Sequence, residues 1–383
     1  MQKKLIALAI AAAASGAAFA QTNVQIYGIA DVGYVGIDRD HFKFQHNINS
    51  GVLSTSRIGF KGAEDLGNGL KAIFTLEYGL LLDQNASIGA SNGGLANARQ
   101  QFVGLTGGFG TVVAGRLQTA GLDYTVAGSA LGGSTAIGAV NLVGNINAFP
   151  LLNAASRANN AVAYISPSFG GVTVAFNHAR STESAAVRGA GGAGTDRADD
   201  YANLIAVNYD GGPLTAGIVY GKAETNWDVT RPGSTPNAWG TINAKNRDTT
   251  EWGVRAGYDF GVAKIQAAYQ HAKVERGYNY LTNTSNGNLK NKRWVISATV
   301  PVTAKIAVIA EYAQAKLDQG PNVSDNKDKA YTVAATYSLS KRTTAYAAFA
   351  HQNFNNKQFN GTAGTTNGRL DTNYYGAGIR HAF

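Results

Sequence analysis

Four arginines and one aspartate are the residues whose types and spacing could do work here. Arg57, Arg99, Arg116 and Arg157 sit on neighbouring alternating stretches around one long connection. Asp123 is the one acid in the 40 residues from Leu117 to Ser156, which separate the third arginine from the fourth. Guanidinium groups gathered around one segment make an electrostatic site, an inward basic ladder able to attract anions; no nucleophile is needed for that. The opposing reading ties the same arginines to interior carboxylates or loop carbonyls, with no net selectivity. Other constellations carry less. His41, His46, His178, His271, His351 and His381 show no metal-binding spacing, so neither metal nor cofactor is expected. Gly189-Ala190-Gly191-Gly192-Ala193-Gly194 matches G-x-G-x-x-G but lacks the strand-to-helix context of a dinucleotide site. The sequons at Asn283, Asn322 and Asn360 are read as chance, and Glu64-Asp65 as part of a tight turn with Gly67 and Gly69.

The elements that position the arginines begin with an export signal. Lys3 and Lys4 precede an apolar run from Leu5 to Ala14, and Ala18-Phe19-Ala20 has the small-x-small form of a cleavage site. Residues 1–20 are therefore expected to be removed, leaving 21–383 as one unit that starts at Gln21. Past that point no apolar run approaches the roughly 20 residues a membrane helix needs. The chain has no Cys and only 7 Pro, so neither a disulfide framework nor a proline-rich linker organises it. Gly is high at 47, Tyr at 18, and 15% of residues are charged, which does not suit disorder and resembles an outer-membrane barrel, where lipid-facing and lumen-facing residues average out. The formal net charge is +9, of which Lys3 and Lys4 carry two. Such a balance points to nucleic acid, anionic headgroups or anionic solutes, and export sets nucleic acid aside.

Most of the chain alternates with period two. Trp252, Val254, Ala256 and Tyr258 oppose Glu251 and Arg255; Ile265, Ala267 and Tyr269 oppose Lys264, Gln266 and Gln270; Ile306, Val308, Ala310 and Tyr312 oppose Lys305, Glu311 and Ala313. The pattern predicts 16 strands near 23–38, 51–62, 69–80, 98–106, 110–117, 157–166, 171–181, 200–210, 213–224, 249–259, 262–275, 291–301, 304–317, 328–338, 343–354 and 371–383. Short turns alternate with long connections, the longest being 118–156. An even number of antiparallel strands with this rhythm predicts an all-β, 16-stranded transmembrane β-barrel, because in hydrocarbon every backbone group must be paired and a sheet must close. A barrel of that size is wide enough to hold water. Tyr78, Tyr209, Tyr258, Tyr312, Tyr331, Tyr337 and Tyr375 are expected on the outward face as interfacial girdles. A terminal Phe383, on the face of Tyr375, Ala377 and Ile379, resembles a barrel-assembly signal.

Three stretches carry a family resemblance. They are Ser56-Arg57-Ile58-Gly59-Phe60-Lys61-Gly62-Ala63-Glu64-Asp65-Leu66-Gly67-Asn68-Gly69-Leu70-Lys71-Ala72, then Arg99-Gln100-Gln101-Phe102-Val103-Gly104-Leu105 with the Gly108-Phe109-Gly110 turn, and Arg157-Ala158-Asn159-Asn160 with Ser166-Pro167-Ser168-Phe169-Gly170-Gly171. From Gln21 to Phe383 the chain resembles the general porins of β-proteobacteria. The resemblance implies a homotrimer in the outer membrane, a third loop folded into the lumen, and passage of small hydrophilic solutes and inorganic anions. It also implies that Arg57, Arg99 and Arg157 line the constriction. The surrounding partners would be outer-membrane lipid and lipopolysaccharide. Leu80–Leu82 could reach a neighbouring protomer.

The residues agree on the third loop, since its Gly, Ala, Leu and Val suit a segment packed against a wall better than one in water. Arg57 opposes Ile58 and Phe60, and Arg99 opposes Phe102, so both are expected to face inward. Strict alternation puts Arg116 with Val112 and Ala114, and a bulge at Gly115 is needed to turn it inward. Asp123 is the natural counter-charge, and one acid makes the constriction net positive. Glu77 and Asp31 are read as ordinary inward wall residues. A barrel hydrolase using His178 or His351 is the enzyme alternative, set aside for want of a nucleophile elbow. A surface adhesin, a substrate-specific channel and a plugged transporter are the others.

Overall fold

A computed structural model of the chain describes residues 23–89, 97–143, 149, 151–152, 157–180, 201–225, 247–275, 278–279, 284–285, 288–318, 325–355 and 369–383. The export signal at 1–20, the glycine-rich stretch at 189–194, Asn283 and the sequons at 322–324 and 360–362 lie outside the described residues.

The strands are β1 (Asn23–Arg39), β2 (Gln45–Ser50), β3 (Arg57–Gly67), β4 (Leu70–Gly79), β5 (Ala98–Gly107), β6 (Gly110–Gln118), β7 (Arg157–Ile165), β8 (Val172–Arg180), β9 (Tyr201–Gly211) and β10 (Leu214–Thr225), then β11 (Arg247–Asp259), β12 (Lys264–Val274), β13 (Tyr278–Asn279), β14 (Thr284–Ser285), β15 (Leu289–Pro301), β16 (Ile306–Asp318), β17 (Asn326–Ser338), β18 (Thr343–Asn355) and β19 (Arg369–Ala382). Sequence neighbours pair antiparallel, β2 and β3 share one wall position beside β1, and β13 with β14 forms a separate ribbon. Pairing of β1 with β19 joins the ends and closes a 16-stranded barrel. At this seam Gly28 and Phe383 exchange backbone hydrogen bonds of 3.0 and 3.1 Å.

The distribution of side chains inverts that of a soluble protein. Ile26, Val103 and Ile218 are about three-fifths exposed on the outer rows, while Asp31, Glu251 and Thr332 are fully buried on the inner rows. This is what alternation must do when the outer solvent is hydrocarbon. All seven tyrosines expected outside lie on outward rows. Tyr258, Tyr331, Tyr337 and Tyr375 are exposed, and Tyr78, Tyr209 and Tyr312 half-buried. Cross-strand ring pairs such as Trp252–Tyr269 at 5.4 Å, Trp294–Tyr312 at 5.3 Å and Phe349–Tyr375 at 5.4 Å make the girdle continuous in stretches.

One strand expectation fails. The segment predicted as a strand over 51–62 is broken: β2 runs back along β1 where a loop was expected, and 51–56 is not a strand. The cause is Asp31. Its carboxylate accepts hydrogen bonds from the backbone N–H groups of Leu53 (3.1 Å) and Ser54 (2.6 Å) and from the Tyr346 hydroxyl (2.6 Å). Gly51, at φ +79°, turns the chain into this arrangement. Asp31 is thus an anchor rather than an ordinary wall residue.

Between β6 and β7 run two short helices, α1 (Ala120–Ala127) and α2 (Ala139–Leu142). Thr119 caps α1, its hydroxyl accepting from Leu122 N–H at 3.3 Å. The segment packs on inward residues of the wall. Tyr124, Leu151 and Leu152 meet Leu204, Ala206 and Val219; Ala139, Val140 and Val143 meet Val295, Ala313, Ala315 and Ala330. Alanine recurs beneath it because small side chains let two backbones approach. Gly253 is the extreme case: a Cβ there would lie 2.5 Å from the Tyr124 ring.

Candidate functional site

The inner wall carries two groups of charged side chains. The first spans β3, β4 and β5. Glu77, on an inward position of β4, receives Arg99 Nε at 2.7 Å and faces Arg57 Nε at 3.5 Å. The Tyr27 hydroxyl donates to the same carboxylate at 3.1 Å. Two guanidinium groups share one carboxylate, so the cluster keeps a surplus positive charge. Arg157, at the start of β7, lies close enough to Arg99, Glu77 and Arg57 for their charges to act on it, and its Nε has no hydrogen-bond partner. Glu77 is therefore the hub of the arginine group and not a plain wall residue.

Arg99 reaches this place by an unexpected route. Phe102 lies on an inward row, against Val113 and Leu117, so it cannot serve as the outward reference that sets Arg99 inside. What turns Arg99 is a bulge: Glu77 pairs with Gln100 and Tyr78 with Ala98, leaving Arg99 as the extra residue.

Arg116 is the correction. The bulge exists, but in the partner strand. Gly115 pairs with Ala161 and Leu117 with Ala158, so Asn159 and Asn160 together oppose Arg116, and Asn160 absorbs the irregularity at φ +49°. Arg116 itself pairs normally with Gln101, which pairs with the exposed Leu76. It keeps its outward row, donates from Nε to the Ala98 carbonyl at 2.6 Å and bonds Asn159.

Asp123 sits on α1, where Gln118 donates to it. Burial pushes its carboxyl up to about 6, a rise moderated by the Gln118 hydrogen bond and by the charges of Arg255 and Arg157. The charges of Arg255 on β11 and of Arg157 both act on it.

The second charged group lies across the barrel and was not singled out as a site. Glu251 of β11 accepts backbone N–H bonds from Leu151 (2.9 Å) and Leu152 (3.1 Å). Glu311 of β16 accepts from Val140 (2.9 Å) and Leu131 (3.1 Å). Ser297 receives Ala130 N–H at 3.0 Å, and Thr332 donates to Ile137 O at 2.6 Å. Arg293 is buried beneath the same segment. Its Nε donates to Gln270 at 2.6 Å, its Nη1 to Val140 O at 3.0 Å, and its guanidinium stands 4.7 Å from the Phe149 ring centre. The alternation had placed Glu251 and Glu311 inside; their task was hidden because their partners are backbone amides. Two further inward arginines, Arg255 and Arg380, bond Asn208 (2.7 Å) and Ser54 (2.8 Å).

The enzyme alternative was denied a nucleophile elbow, yet Gly89-Ala90-Ser91-Asn92-Gly93 does have the G-x-S-x-G spacing. It follows a turn-rich connection after β4 rather than a strand leading to a helix, and residues 90–96 lie outside the described ones.

A closed barrel, apolar outside and charged within, is a transmembrane channel protein of the outer-membrane type. The comparisons name its family. The family model for Gram-negative porins matches residues 7–357, and the chain belongs to that family. It is 32% identical over 355 residues to outer membrane porin protein 32 of Delftia acidovorans, covering 91% of this chain and 89% of that one. Among solved structures, the anion-selective porin from Comamonas acidovorans aligns at TM-score 0.73 and 26% identity, over 95% of this chain and 100% of that one. OmpT of Vibrio cholerae in a trimer form aligns at TM-score 0.64 and 17% identity, over 94% and 99% of the two chains, which speaks to fold alone. The protein is an outer-membrane porin, a passive channel for small hydrophilic solutes.

Proposed function

We propose that this porin favours anions, and that its selectivity is set where the segment 119–152 folds into the lumen and faces Arg57, Arg99 and Arg157. The observation that carries the reading is the shared carboxylate: Glu77 is the partner of both Arg57 and Arg99. A solute in the constriction meets a surplus of guanidinium charge in a place where the wall restricts water, and Coulomb attraction there exceeds that in bulk. Arg116, on an outward row, has no part in this. Asp123 tempers the field when it is ionised. The anion selectivity of the Comamonas acidovorans porin points the same way. Small ions and solutes cross by diffusion, with no cofactor and no catalytic step.

We further propose a homotrimer, with Leu80–Leu82 and the connection they begin as the contact between protomers, and removal of residues 1–20 on export. The mature protein refolded into planar bilayers tests the set. Three conductance steps per insertion are expected, with a reversal potential across a KCl gradient that lies toward chloride. Steps without chloride preference would retain the channel and remove the arginine field.

A further inference from the structure

We propose that Arg380 is a further selectivity-determining residue of the channel, held beside Arg57 by the inward segment 51–56. The proposal rests on the anion-favouring reading above and adds to it a guanidinium from the last strand. It starts from the register of the seam. Arg380 lies directly opposite Asp31 in the β1–β19 pairing, both on inward rows. Opposed charges at such positions ordinarily attract one another across the strands. Here a hydroxyl stands between them: Ser54 Oγ donates to Asp31 at 3.4 Å and accepts from Arg380 Nε at 2.8 Å. The carboxylate is turned instead to the amides of Leu53 and Ser54 and to the Tyr346 hydroxyl, and it is fully buried beneath the segment. Nη1 and Nη2 of Arg380 bond no atom of the described residues and are not enclosed. A carboxylate answered by fixed amides has a muted field, whereas a guanidinium tied to a neutral hydroxyl keeps its own. A solute in the lumen meets the cation of this pair first.

The segment that holds Arg380 is itself fixed on every side. Gly51 N–H donates to Asp31 O at 2.7 Å, and the Ser56 hydroxyl donates to Asp31 O (2.8 Å) while accepting Asp31 N–H (3.0 Å). Asp31 thus grips the segment at both ends as well as in its middle. Val52 is buried against Ile137 and Tyr346, and Ser134 donates to Val52 O at 2.7 Å, which joins the segment to 119–152. Ser56 O accepts Leu80 N–H at 3.0 Å. On this scaffold two adjacent residues hold two arginines. Thr55 O accepts from Arg57 Nη1 at 3.2 Å, next to the Ser54–Arg380 bond. The two side chains arrive from opposite sides of β1, where Arg57 faces Ile29 and Arg380 faces Asp31. With strands about 4.8 Å apart their backbones stand roughly 10 Å from each other, and their ends converge. The charge of Arg380 acts on Arg57. The two groups lie within a screening length, about 10 Å at 0.1 M salt, so their fields add.

The chain has no cysteine, so Arg380→Cys supplies a single thiol. The mature variant is refolded into planar bilayers, and reversal potentials are read across a KCl gradient before and after modification by a methanethiosulfonate carrying either a trimethylammonium or a sulfonate group. Arg380→Cys is expected to lower the chloride-to-potassium permeability ratio about two-fold. The ammonium adduct should restore the ratio, and the sulfonate adduct should lower it about two-fold further. The same folded molecules are compared before and after, so a role in folding alone would not move the result. A thiol modified by both reagents with no change in the ratio overturns the proposal, and so does a thiol that neither reagent reaches. Arg380→Lys carries the test if the cysteine variant does not assemble. It retains the charge and should keep the ratio of wild type; a fall of about two-fold or more would show that charge at this position is not the cause. Wild type without chloride preference removes the underlying reading, and this proposal with it, before any variant is made. Wild type that prefers chloride but is indifferent to charge at position 380 removes this proposal alone.

Discussion

On β4, the carboxylate of Glu77 is given to two guanidinium groups; on β16, that of Glu311 is given to two backbone amides. Both glutamates point inward and both are buried. In the function proposed above the β3–β5 side offers its charge to whatever passes, whereas the β11–β16 side uses its charge to hold a piece of the chain. Arg293 belongs with the second side, since two of its nitrogens, Nε and Nη1, are engaged by Gln270 and Val140 beneath that piece. Facing inward is therefore not enough to make a residue part of the conducting path. The identity of its hydrogen-bond partner decides, because a charge satisfied by fixed backbone has little field left for a solute.

The comparison breaks most visibly at the arginines. Arg57→Gln with Arg99→Gln should lower the chloride-to-potassium permeability ratio about tenfold, since two charges near the path are lost and Glu77 is left unpaired. Reversal potentials in a KCl gradient measure it, and an unchanged ratio would transfer selectivity elsewhere. On the holding side, Glu251→Ala with Glu311→Ala removes four N–H acceptors, each bond to a charged group being worth about 1.5–3 kcal/mol. Single-channel conductance should rise about two-fold with added noise, while the permeability ratio changes less than in the arginine variant. If conductance stayed quiet and constant, the two glutamates would not be what holds the segment. Glu77→Gln sharpens the contrast from within the first side: freeing both guanidinium groups should raise anion preference about two-fold. A smaller effect is expected from pH. Asp123 sits at about 6, so below that value it is neutral and the constriction more positive. Anion preference should fall, by less than two-fold, as pH rises through 6, and the dependence should vanish in Asp123→Asn. Arg116→Gln should leave permeability untouched.

The strands were legible because lipid outside and water inside impose period two over the whole circumference, and 15 of the expected strands coincide with observed ones to within a few residues. The break between β2 and β3 was not legible, since it depends on Asp31 reaching backbone amides 22 and 23 residues away. Arg57 could be placed from parity alone. Arg99 and Arg116 could not, because a bulge shifts register in one strand only, and alternation in a single strand does not say which partner carries the extra residue. The amides bound by Glu251 and Glu311 leave no mark in the sequence at all, because any residue but proline supplies one.

The seam between Gly28 and Phe383 has a consequence for how the protein comes into being. It is made by the first and last strands, so the contact that completes the wall joins residues separated by nearly the entire chain. Every shorter assembly intermediate has two raw edges, each a row of unanswered amides and carbonyls that lipid cannot satisfy. An unfinished copy cannot wait in the bilayer as a narrower cylinder. It must be sheltered until its final strand is in hand, which makes membrane entry and ring completion one event and the last strand its natural checkpoint.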